Sequence, residues 1–211
     1  MSKMPYRPIT NPAASFPKVT RLVWKLERHY LKPAHSMYRL PLAHYHMVGD
    51  FQFSIAHLLL GTIAGISTTL YAQTGKNGAR FRGLLVDYYP FASEPTNTVP
   101  VPDAARTLWS VFRNPLAHDL GFDLEKKAKT PVVKVFRVVT NHGRRGLTEK
   151  RIEALEKSSV RPANLKPTLV VRTDATVLSV DALYWGVRCM VENLLRDTAR
   201  VQAAEKTLPA I

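Results

Sequence analysis

Asp103-Ala104-Ala105-Arg106-Thr107-Leu108-Trp109-Ser110-Val111-Phe112, followed by Arg113-Asn114-Pro115-Leu116-Ala117-His118, is the stretch on which the reading of this chain turns. Asp103 is a good N-cap residue after Pro100 and Pro102, and Leu108, Val111 and Phe112 then recur at helical spacing. The spacing predicts a helix that carries a fixed cation and a titratable imidazole at its far end. Pro115 lacks an N–H and its ring collides with the carbonyl four residues back, so a kink is expected there, with Asn114 able to cap the restarted turn. In a regular helix Asn114 and His118 share a face, whereas Arg113 and His118 diverge by about 140°. A kink, or a second copy of the helix facing the first, would gather all three polar groups around one cleft.

Working outward, the chain reads first as helical. Residues 1–17 hold four prolines and little periodicity, which predicts an extended arm whose Lys3 and Arg7 can reach a phosphate. Val19, Leu22, Val23, Leu26 and Tyr30 predict an amphipathic helix from Lys18 to Leu31, with Arg21, Lys25 and Arg28 outside and Pro33 as its stop. A long apolar helix runs from Asp50, its candidate cap, to about Ala72, and Gly75-Lys76-Asn77-Gly78 ends it. Its stretch Ile55 to Ala72 contains His57, two glycines and four hydroxyl residues, which suits a buried bundle helix better than a membrane span. A third helix from Ala79 to Tyr89 stops at Pro90, and residues 92–101 link it to the motif helix.

After Gly121 β-branched residues dominate. Pro131 to Val139, Thr168 to Val171 and Thr176 to Val180 predict a small antiparallel sheet, with Thr173-Asp174-Ala175 as a hairpin turn and a short helix from Thr148 to Ser158 between its first two strands. Asp181 to Glu205 closes the chain as one long helix, with Leu183, Tyr184, Val187, Val191, Leu194, Leu195 and Thr198 on one face. The fold class expected is mainly α: a helical bundle with a small antiparallel β-sheet insertion before the C-terminal helix. The length, 211 residues, suits one domain with additions, here 18–211 after the arm.

Composition narrows the partners. Thirty Lys and Arg against sixteen Asp and Glu give +14, an excess that draws polyanions, RNA or DNA first among them; an acidic partner protein is the alternative. The lone Cys189 cannot form an internal disulfide and the first residues lack the apolar run of a secretory signal, so a cytoplasmic location is expected. There is no phosphate-binding Gly-rich loop, and no cofactor is implied. His44 and His46, with His35 nearby, lack a Cys or carboxylate cluster, so no metal is expected. Trp24, Trp109 and Trp185 lie among apolar residues and are read as core rather than as base-stacking platforms.

Arg113-Asn114, three residues, then His118, late in a small helical domain, resembles the signature of the HEPN superfamily. A looser resemblance in helix order, and in the aromatic stretch Phe81-Arg82-Gly83-Leu84-Leu85-Val86-Asp87-Tyr88-Tyr89-Pro90, covers roughly residues 45–125. Active members are mostly metal-independent ribonucleases, with the site formed where two motif helices meet across a dimer axis. The resemblance therefore implies a homodimer through the motif helix, an RNA substrate, an inhibitory partner protein in a toxin or defence setting, and His118 of a second copy as the missing acid. Two positions beyond the His, where some relatives carry a modified Tyr, this chain has Leu120.

The chemistry suits the residues. RNA is cut without metal when a base takes the ribose 2′-hydroxyl proton, a cation stabilises the phosphorane and an acid protonates the leaving 5′-oxygen. His118 titrates near neutral pH and can serve as base or acid; Arg113 stays charged throughout. Asn114 can orient His118, donate to a phosphate oxygen or cap the helix after the kink; capping with some contribution to orientation is the favoured role. Asp119 can raise the pKa of His118 or compete for Arg113, and Asp87 and Asp50 are more distant acids with an ordinary surface or capping role as the alternative. The basic loop Asn141-His142-Gly143-Arg144-Arg145-Gly146, with Lys150 and Arg151, can hold a phosphate backbone or be simply solvated. For Arg113 and His118 the alternative is structural: an Arg paired with an acid and a His satisfied by a carbonyl.

Overall fold

A computed structural model describes residues 6–38, 50–71, 75–94, 99–113, 135–139, 149–157 and 160–209. These residues are mainly helical. Helix α1 begins at Pro17–Leu26, widens through a π-helical turn at Glu27–Leu31 and finishes as Lys32–Tyr38. Helix α2 is Asp50–Ile66 with its own π turn at Ser67–Tyr71, and α3 is Asn77–Tyr88. Helix α4, the motif helix, comprises Val101–Thr107 and a π segment at Leu108–Arg113. Strand β1 (Val135–Val139), helix α5 (Glu149–Lys157) and strands β2 (Leu169–Val171) and β3 (Ala175–Ser179) follow, and α6 (Val180–Arg196) and α7 (Thr198–Thr207) close the described chain.

Helix α6 is the centre of the packing. Every residue from Val180 to Val191 is buried, so this helix is enclosed rather than one-faced, and α2, α3, α5, α7 and β3 all pack on it. Gly186 permits the closest approach: a Cβ there would stand 2.1 Å from the Tyr89 hydroxyl oxygen. That hydroxyl shares a 2.7 Å hydrogen bond with Thr168 Oγ1 and donates to the Ala182 carbonyl at 3.3 Å. Thr168 in turn donates its hydroxyl and its N–H to the Glu94 carboxylate. Helix α2 holds the one described stretch long and apolar enough to cross a membrane, Gln52–Tyr71, and half of its most apolar window is buried inside the bundle.

Three expectations are corrected. The sheet is mixed, not antiparallel: its order is β1-β3-β2, with β1 parallel to β3 and β2 antiparallel to β3. The β2–β3 turn is as expected, closed by Arg172 N–H on the Ala175 carbonyl at 2.8 Å. The long connection containing α5 lets β1 lie parallel, as a crossover of this length allows.

Pro33 does not end α1. In the π turn before it, the Lys32 N–H bonds to the Glu27 carbonyl five residues back, and this wider turn relieves the crowding that a proline ring causes in a regular helix. The C-terminal helix is two helices. Asp197 leaves helical geometry (φ −77°, ψ 90°) and its carboxylate accepts the Arg200 N–H at 3.1 Å and the Tyr88 hydroxyl at 2.5 Å, capping α7.

The N-terminal segment is held against the body from Tyr6 onward. Ile9 and Ala13 are buried, Tyr6 and the Ile9 N–H bond to Glu27, and the Arg7 N–H donates to Glu156 at 3.1 Å. Beneath it lies a buried polar cluster. The Glu156 carboxylate is bonded to His35 Nδ1 at 2.7 Å and to the Tyr184 hydroxyl at 2.6 Å, while Arg188 donates to the Tyr6 hydroxyl and the Arg7 carbonyl. Burial alone would raise the Glu156 carboxyl, but the hydrogen bonds from His35, Tyr184 and the Arg7 N–H outweigh it and hold the group below its ordinary range.

Candidate functional site

The motif helix is set by its inward face. Ala104, Ala105, Leu108 and Phe112 are buried, and Trp109 is half-buried against Phe81, with ring centroids 5.2 Å apart. Gly78 on α3 is tight under the Trp109 indole: a Cβ there would lie 2.9 Å from it. This packing fixes α4 against α3. The helix starts earlier than expected, at Val101 after Pro100, and Asp103 does not cap it but pairs with Arg106 on the exposed side.

Arg113 is the last residue of the π segment. It is half-buried, its Nε is enclosed, and among the described residues that atom has no hydrogen-bond partner and the guanidinium no ion pair. The structural alternative for this residue, an Arg neutralised by a nearby acid, therefore has no support among the described residues. Asn114, His118 and Asp119 lie outside the described residues, and so do His142, Arg144 and Arg145 of the basic loop. Lys150 and Arg151 are exposed at the start of α5. Asp87 is an exposed residue of α3 whose carboxylate accepts the Tyr71 hydroxyl at 2.6 Å; no described contact joins it to Arg113.

Two further features come into view. Beside α5 a cleft of about 320 Å³ is lined by Arg151, Leu155, Lys157, Arg161 and Asp181 among others. Arg161 is mostly occupied as a brace: it donates to the Leu165 and Lys166 carbonyls and lies 3.6 Å from the Glu94 carboxylate. On the outer face of α1, Trp24 is 49% exposed, which corrects its reading as core, and the Arg28 guanidinium carbon sits 5.0 Å from the centre of the indole ring. Trp185 is a core residue as expected, with 1% of its surface exposed.

Among the described residues no three His, Cys, Asp or Glu side chains come together as a metal-binding group. The thiol of Cys189 is buried and pushed up to about 12 by that burial, which leaves it a poor nucleophile. Compared with known proteins, the chain matches no family model, no curated protein and no solved structure.

Proposed function

We propose that this chain is a HEPN-like, metal-independent endoribonuclease that cleaves RNA by attack of the 2′-hydroxyl and leaves 2′,3′-cyclic phosphate ends. Arg113, Asn114 and His118 form the working group, brought together with those of a second copy through the motif helix. The observation that carries the reading is Arg113: a guanidinium whose enclosed Nε has no hydrogen-bond partner among the described residues, at the end of a helix whose inward face, Ala104, Ala105, Leu108 and Phe112, is buried. Among the described residues no acid neutralises this cation, and a cation so placed is useful where negative charge arrives with a substrate and grows in the transition state. The +14 balance supports a polyanionic substrate. His118 supplies the proton transfers, Asn114 steadies it, and the loop with His142, Arg144 and Arg145 together with Lys150 holds the flanking backbone. The proposed setting is the cytoplasm, in a toxin or defence role restrained by an inhibitory partner protein.

The test is incubation of wild-type and His118→Ala protein with mixed-sequence single-stranded RNA in excess chelator, followed by analysis of the fragment ends. Cyclic phosphate ends from the wild type alone are expected. Full cleavage by a folded His118→Ala protein would remove the assignment. Salt-sensitive RNA binding without any product would favour the second reading, a non-catalytic module that binds nucleic acid, which the same charge supports.

A further inference from the structure

The outer face of α1 carries Arg21, Trp24, Lys25 and Arg28 at positions i, i+3, i+4 and i+7, one continuous stripe on a helix. All four are exposed, and among the described residues none of the three cations forms an ion pair. The only acid between residues 17 and 38 is Glu27. It is buried on the opposite side, where it receives Tyr6 and the Ile9 N–H, and so does nothing to neutralise the stripe. A Trp left half in water costs hydrophobic stabilisation that burial would have provided. Here it stands out among cations, with Arg28 over its ring and Tyr30, 39% exposed, further along the same helix.

We infer that this stripe docks single-stranded nucleic acid, Trp24 stacking on a base while Arg21, Lys25 and Arg28 meet the neighbouring phosphates. The proposal rests on the reading of the chain as an RNA-binding protein but not on cleavage. A cationic groove with an aromatic platform is how single strands are held without sequence preference. From Arg21 to Arg28 the helix rises about 10 Å, the length of about three stacked nucleotides. An anionic membrane fits less well. A helix lying on lipid needs an apolar face for the bilayer, and the apolar face of α1, Val19, Val23 and Leu26, is already in the core.

The probe is a 12-mer oligonucleotide, 2′-O-methylated throughout so that it cannot be cleaved, titrated by fluorescence anisotropy against the full chain at several salt concentrations. Trp24→Ala is expected to weaken binding about tenfold or more, with Trp24→Phe restoring most of it. An Arg21→Gln/Lys25→Gln/Arg28→Gln triple variant is expected to flatten the log–log salt slope by about 2, from three lost phosphate contacts. All these side chains are on the surface, and unchanged circular dichroism and thermal midpoints are expected. Tight binding by the wild type with no loss in either variant would overturn the stripe while leaving the RNA reading intact. Failure of the wild type to bind the 12-mer at any salt would overturn both. Equal competition by polyglutamate, or preference for phosphatidylserine vesicles, would overturn it in favour of an acidic protein or a membrane surface.

Discussion

Gly186 is the tightest of the described glycines. Its missing side chain makes room for the Tyr89 hydroxyl, which is tied to Thr168, and Thr168 is tied to Glu94. Gly186→Ala must displace Tyr89 and break that buried chain, so a loss of about 2–4 kcal/mol is expected in urea unfolding. A midpoint within experimental error of the wild type would show that the Tyr89 ring shifts at no cost. Glu156 is expected to govern acid stability. Its folded carboxyl titrates below its ordinary value, so the stabilisation is fully present above that value and is lost as pH falls through the folded one. Glu156→Gln should therefore be less stable at pH 7, by about 1–3 kcal/mol, and should lose less than the wild type on going from pH 6 to pH 3. Parallel curves for the two proteins would assign acid sensitivity elsewhere. At this scale the sequence was partly legible. Trp185 reads correctly as core because it sits within an enclosed helix, whereas the apolar residues near Trp24 in sequence point to the core and Trp24 itself does not. Counting from the buried Val19, Val23 and Leu26, position 24 falls with Arg21 and Arg28, a signal that was present.

Among the elements, those defined by composition were legible and those defined by direction or by a single cap were not. The β-branched runs marked all three described strands near their observed places, yet strand composition carries no information on polarity, and β1 runs parallel to β3. The apolar repeat in the last helix continues into Val201 and Ala204, which concealed the break at Asp197. Asp197-Thr198 is itself an N-cap signature, masked in the sequence by a periodicity that stays in phase on either side. The cap has a measurable weight. Asp197→Ala removes the acceptor for both the Arg200 N–H and the Tyr88 hydroxyl and should cost about 1–2 kcal/mol, with Asp197→Asn closer to wild type. Hydrogen exchange should localise the loss to α7; a loss spread evenly over α6 would mean that the two helices unfold as one unit.

For the whole molecule, a mainly helical body was legible because apolar residues recur at helical spacing in α1 and α4 and fill most of α2 and α6, while the placing of His118 relative to Arg113 lies outside the described residues. The proposed site needs a second copy, and this has a consequence that separates it from any single-chain arrangement. Arg113→Ala and His118→Ala should each lower cleavage by about 10²–10³, because one removes the cation at the phosphorane and the other the proton transfer. If Arg113 of one copy works with His118 of the other, mixing the two inactive proteins creates heterodimers in which one of the two symmetric sites holds an intact Arg and an intact His. Cleavage should then partly return after the subunits exchange, with sedimentation confirming a dimer throughout. If both residues act within one chain, every site in the mixture lacks one of them and activity stays at the level of the single variants. Each variant assayed alone at the same total concentration should stay inactive, whereas a trace of wild-type contaminant would show its activity in the unmixed sample as well.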